Sequence, residues 1–254
     1  MIVGLAVVPH PPILVPEVAA GAAAETAELR DACLMAAGLL ARRCSRWVAV
    51  AVMDPAAGTG VAGSFAGYGV DVPVALRPAA GAGWVPDAEL PLPLLVAGWL
   101  RGQVGPEEIT VHPAPVPPGS SAAECRRLGS ELGARLRAEE DAVGLLVLGD
   151  GAAMHTQRAP GHFDHRAEGL DAKVAAALAA ADPDALLGLD AGLTGELWVA
   201  GREAWQTGAA AAQMLAPAWR GELLYSAAPY GVAYHVALWE AVGVVDAVEG
   251  GRAW

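Results

Sequence analysis

A chain of 254 residues can form one large α/β domain or two small ones. Hydrophobic residues make up 54% and charged ones only 17%, which argues against extended disorder and for a sizeable core. A net charge of −12 argues against a nucleic-acid partner, because neutralising phosphates takes clustered lysine and arginine.

In chain order, the apolar run Ile2–Val8 reads as a buried strand that opens into Pro9-His10-Pro11-Pro12. Glu17–Arg46 reads as one long amphipathic helix, and Trp47–Met53 as a second buried strand ending at Asp54-Pro55. The glycine-rich loop that follows lacks the spacing of a phosphate cradle. Val70–Leu76 is predicted as a short strand, 77–93 as loop, Leu94–Gln103 as helix and Ile109–His112 as strand. After the loop Pro113–Gly119, Ser120 is placed as cap of a helix over Ala122–Glu140. Val143–Leu148 is the clearest central strand and runs into Gly149-Asp150-Gly151. Helices are predicted over Arg166–Ala181 and Gly201–Leu215, a strand over Leu223–Tyr225, a helix over Val232–Ala241 and an edge strand over Val244–Val248.

Strands alternating with helices predict a three-layer α/β fold, with a mainly parallel or mixed central sheet and helices on both faces. No repeat or long linker divides the chain, so residues 1–254 are expected to be a single domain. Cys33, Cys44 and Cys125 are odd in number and lack metal-ligand spacing, as expected in a reducing cytoplasm. No apolar run reaches the roughly 18 residues of a membrane span. The first run lacks a basic flank, so no targeting segment is expected.

His10 stands between prolines at the carboxyl end of a strand, where open α/β sheets place ligand chemistry. The structural alternative is an ordered loop histidine packed on prolines. Pro9-His10-Pro11-Pro12-Ile13-Leu14-Val15-Pro16-Glu17 resembles the opening of the class III extradiol dioxygenase superfamily, the fold of the protocatechuate 4,5-dioxygenase catalytic subunit. That resemblance implies His10 as first ligand of a non-haem iron. The second ligand of the family, a loop histidine, is matched by Met53-Asp54-Pro55, where Asp54 is either a substitute donor or the start of a turn. The acid/base histidine of the family falls on Ala153, within Gly149-Asp150-Gly151-Ala152-Ala153-Met154-His155, so His155 serves only if the loop shifts. Ala159-Pro160-Gly161-His162-Phe163-Asp164 supports this register, with His162 and His165 read as solvated or capping residues. The family's glutamate ligand precedes a segment matched by Ala228-Pro229-Tyr230-Gly231-Val232-Ala233-Tyr234, and its place is taken by Ser226 or Ala227.

The resemblance therefore implies the fold without a complete iron site, since such oxygenases need two histidines and a carboxylate. The leading expectation is a protein that has lost ring cleavage and keeps a cleft for a small molecule or partner, lined by His10, Glu17, Asp54, Asp150, Ser226 and Tyr230. It needs no cofactor. A second is a metal-dependent oxygenase with an altered ligand set and Fe(II) or Zn(II), with His10 as metal ligand and His155 as the catalytic group. A third is a structural subunit of a homo-oligomer. Serine hydrolase chemistry is set aside because neither Ser64 nor Ser120 sits in a Gly-x-Ser-x-Gly elbow.

Overall fold

Strands without polar side chains lie at the centre of the architecture. Ile2–Val8 (β1) is buried at all seven positions, and β1 is followed by a short helix Pro16–Ala19 (α1) and the helix Ala27–Ala41 (α2). Arg46–Val52 (β2) precedes a small hairpin, Ala62–Ser64 (β3) with Pro73–Ala75 (β4), and then the helix Leu92–Val104 (α3). Thr110–Val116 (β5), Ala122–Arg137 (α4) and Val143–Leu148 (β6) follow. Next come Arg166–Ala180 (α5), two short helices Pro183–Leu187 (α6) and Ala191–Glu196 (α7), and Arg202–Leu215 (α8). Trp219–Ala227 (β7) and Tyr234–Ala241 (β8) complete the computed structural model, which describes residues 1–57, 60–78, 85–105, 107–216 and 218–242.

The main sheet runs β5-β2-β6-β1-β8-β7. β5, β2, β6 and β1 are parallel, β8 runs against both β1 and β7, and the sheet is therefore mixed. Side chains alternate across it. Val3, Ala6 and Val8 of β1 pack with Leu146, Leu148, α2 and α3, whereas Leu5, Val7, Leu145 and Val147 pack with α4, α5 and α8. Helices thus cover both faces, giving a three-layer α/β fold. β2 and β6 are interior, and the His10, Asp54 and Asp150 loops all leave from the carboxyl ends of parallel strands. Among the described residues, no helix is long and apolar enough to cross a membrane.

Several sequence expectations are corrected. The long helix over Glu17–Arg46 is broken: a 3-10 turn spans Ala20–Ala22, Ala20 has φ 47°, and α2 begins only at Ala27. Local bonds compete with the helix here. The Thr26 hydroxyl donates to the Ile13 and Ala23 carbonyls at 3.4 and 3.3 Å, and Arg30 donates to the Ala23 carbonyl at 2.7 Å. The helix expected over Val232–Ala241 is instead strand β8, buried at every position but Glu240. An apolar run with no polar face does not reveal its period, and pairing on both sides decided it. β5 continues through Pro113 and Pro115, which is tolerated because β5 is an edge strand. The cap of α4 is Ser121, whose Oγ accepts from the Glu124 N–H at 3.2 Å, while the Ser120 hydroxyl donates to the Pro117 carbonyl at 2.6 Å. The short helices α6 and α7 are absent from the sequence expectation, although Asp182 and Asp190 cap them through side-chain oxygens. The edge strand expected over residues 244–248 lies outside the described residues.

The face bearing α4 and α8 is packed through glycine. A Cβ on Gly129 would collide with the Thr207 carbonyl oxygen and lie 2.6 Å from Ala210 Cβ, and one on Gly133 would lie 2.6 Å from Met214 Cβ. Gly102 of α3 is exposed, and a Cβ there would meet nothing within 4 Å. Two alanine substitutions should therefore act in opposite directions in urea denaturation. Gly129→Ala is expected to destabilise by about 1–3 kcal/mol through overpacking, and Gly102→Ala to stabilise by about 0.5–1 kcal/mol through helix propensity.

Candidate functional site

The carboxyl edge of the sheet carries polar groups on both of its faces. On the α2 face, His10 leaves β1 between Pro9 and a 3-10 turn over Pro12–Leu14. The Gly149 N–H donates to the Val8 carbonyl at 3.1 Å, so the β1–β6 ladder persists past both strands and carries the two loops side by side. The His10 backbone N–H then donates to Asp150 Oδ1 at 2.8 Å. Its ring Nδ1 lies 3.6 Å from the same oxygen, and that nitrogen is buried without a hydrogen-bond partner. Burial foremost, and the nearby Asp150 carboxylate second, push the Cys33 thiol and the Tyr234 phenol up, so both stay protonated.

The opposite face holds a denser network. The buried stripe of α5 consists of Ala167, Leu170, Asp171, Val174, Ala177 and Leu178, so one carboxylate lies among apolar side chains. Asp171 accepts from His155 Nε2 at 2.6 Å, from His235 Nε2 at 3.1 Å and from the Ala152 backbone N–H at 3.2 and 3.3 Å. With Asp171 as acceptor, each imidazole bonds it through an Nε2–H. Nδ1 of His235 is thereby left as an acceptor, and it lies 3.0 Å from Ser226 Oγ. His235 is 1% exposed and packs edge-on against Trp205, with ring centroids 6.1 Å apart.

Backbone pairing sets this geometry. Ser226 and His235 are direct partners on antiparallel β7 and β8. Gly151 donates to the Ala233 carbonyl at 2.8 Å, Ala233 to that of Ala152 at 2.9 Å, and His155 to that of Gly231 at 3.1 Å. The loop after β6 is thus laced to the entry of β8. Gly151 is required here, since a Cβ would lie 2.5 Å from Asp171 Oδ1.

Of the residues selected from sequence, the structure brings His10 to Asp150, and it brings Ser226 and His155 together through His235 and Asp171. The others point elsewhere. Asp54 is exposed and accepts from the Ala56 N–H at 2.8 Å, a local turn. Glu17 borders a cavity of about 460 Å³ with Val72, Trp99 and Arg101. Tyr230, at φ 58°, donates its hydroxyl to Glu25 at 2.6 Å. His165 is 86% exposed in its side chain. Asp171 and His235 were missed, although a charged residue on the apolar stripe of a helix is a signal that sequence alone carries.

The iron implied by the resemblance does not fit this donor set. Asp54 is committed to its own turn and Ser226 to His235, leaving His10 beside a single carboxylate. Among the described residues, no group of three or more His, Cys, Asp or Glu is disposed to hold a metal ion. Compared with known proteins, the chain matches no protein-family model and no curated protein.

Removing the Asp171 carboxylate leaves two imidazole N–H groups and a buried amide without their acceptor. Asp171→Ala is expected to cost about 3–5 kcal/mol in urea unfolding. Ser226→Ala, at an exposed position, should cost no more than about 1.5 kcal/mol.

Proposed function

We propose that this chain is a divergent relative of the class III extradiol dioxygenases that no longer cleaves rings. It keeps the carboxyl edge of its sheet, beside His10, as a binding cleft for a small molecule. In this reading the protein is cytoplasmic and assembles with copies of itself. The observation that carries the proposal is the His10 imidazole. A buried ring nitrogen without a partner costs about 1–3 kcal/mol, and four prolines between Pro9 and Pro16 keep the loop from turning that ring away. A ligand carrying a hydroxyl or carboxylate would satisfy the nitrogen, which Asp150, 3.6 Å away, is too distant to bond.

The loss of ring cleavage is supported by the substitutions at the resembling positions. Asp54 stands where the family has a histidine, Ala153 where it has the acid/base histidine, and Ser226 or Ala227 where it has the glutamate.

The test has two arms. Protein supplied with Fe(II), protocatechuate and oxygen should show no ring-opening absorbance and retain no stoichiometric iron after desalting. Near-equimolar iron with oxygen-dependent ring opening would overturn the proposal. In the second arm, a panel of catechols, hydroxy acids and carboxylates is screened by thermal shift. His10→Ala should keep the melting transition within a few degrees and abolish the shift given by any hit. A large loss of stability without any ligand would make His10 a packing residue.

A further inference from the structure

We propose that Ser226 is a nucleophile activated by His235 and Asp171, and that it gives the chain an acyl-transfer activity toward small activated esters. This does not rest on the His10 cleft, because the two sets lie on opposite faces of the sheet. Tyr234 packs with the α2 and α3 side, whereas its neighbour His235 bonds to Asp171 of α5.

Serine–histidine–aspartate chemistry is recognised by geometry and roles rather than by position in the sequence. Each role is filled. Asp171 accepts from His235 Nε2 at 3.1 Å, which fixes the tautomer with a bare Nδ1. That nitrogen lies 3.0 Å from Ser226 Oγ, within reach of its proton. His155, at 2.6 Å, and the Ala152 N–H hold the carboxylate from other directions, so His155 is a positioning residue. The ring nitrogens are used in the reverse order of the usual triad, but the proton path is the same.

Exposure separates the roles. A serine that merely satisfied a core histidine would be buried with it. Here the histidine is 1% exposed, the aspartate 5%, and Ser226 alone opens to solvent, on an edge strand. The pair is also rigid, because a cross-strand register positions it rather than a loop.

The reaction balances without an external reagent. Oγ of Ser226 attacks the ester carbonyl as its proton passes to His235 Nδ1. The imidazolium, stabilised by Asp171, returns that proton to the departing alkoxide, which leaves as the alcohol. Water then attacks the acyl-serine, giving one proton to Nδ1, and Oγ recovers it as the acid departs. The sum is ester plus water to acid plus alcohol.

The experiment uses the full chain with p-nitrophenyl acetate as substrate and phenylmethylsulfonyl fluoride as trap, read by intact mass and peptide mapping. The expected result is one sulfonyl group per chain on Ser226 and loss of turnover on labelling. Ser226→Ala should abolish labelling and lower turnover on the order of 100-fold. His235→Gln should do the same. Should His235→Gln fail to fold, Ser226→Ala remains decisive, since it removes one exposed hydroxyl. Labelling at a residue other than Ser226, or turnover unchanged in folded Ser226→Ala, would overturn the proposal.

Discussion

The carboxylate of Asp171 is the interaction on which the carboxyl edge of this protein depends. A charge among apolar side chains is tolerable only if donors surround it. Here they come from two places: the loop after β6, through the Ala152 N–H and the His155 imidazole, and His235 near the start of β8. One buried oxygen pair therefore ties helix α5 to two parts of the sheet edge. The loop must approach closely, which dictates Gly151 at its crest, and β8 must enter beside it, which places His235 opposite Ser226.

The sheet then acts as a partition. Successive residues of a strand face opposite sides, and the chain twice sets polar groups in succession at this edge: Tyr225 with Ser226, and Tyr234 with His235. The tyrosines belong with the α2 layer, where Asp150 and the buried Cys33 lie, and burial first raises both phenols so that they stay neutral. The serine and histidine belong with the α5 and α8 layer. Two polar environments thus share a backbone while being separated by one thickness of sheet. A substrate on one side cannot reach the groups on the other.

The layered fold was legible in the sequence because the strongest strands carry no ambiguity of length. Val143–Leu148 is bounded by Asp141 and Gly149, and Ile2–Val8 by Pro9. The sequence grouped His10 and Asp150 with Asp54 and Glu17 at one end of the sheet, and of these only His10 and Asp150 are joined, because their parallel strands are neighbours. β8 was not legible: Tyr-His-Val-Ala-Leu-Trp-Glu-Ala is an apolar run without a polar face to show its period, and pairing with β1 and β7 fixes it as strand. That misreading also hid His235. As a helical residue it had no reason to face Ser226, whereas in a strand it is its direct partner. Asp171 was readable as an anomaly on its helix, but its purpose needed the β6 loop, with Ala152 19 residues earlier in the chain, to be folded over it.

The position of β8 also governs how such a chain can assemble. Among the described residues, β1, synthesised before every other strand of the sheet, pairs only with β6 and β8, and β7 joins the sheet only through β8. The apolar strand Ile2–Val8 must therefore wait for partners from much later in the chain. Contacts so distant in sequence make folding slow, since loop closure precedes the contacts that offset it. During that wait an unpaired, wholly apolar strand is a site for wrong association. Pro9, Pro11 and Pro12, directly after it, cannot donate to a growing ladder, so they would limit mispairing at one end while synthesis runs on.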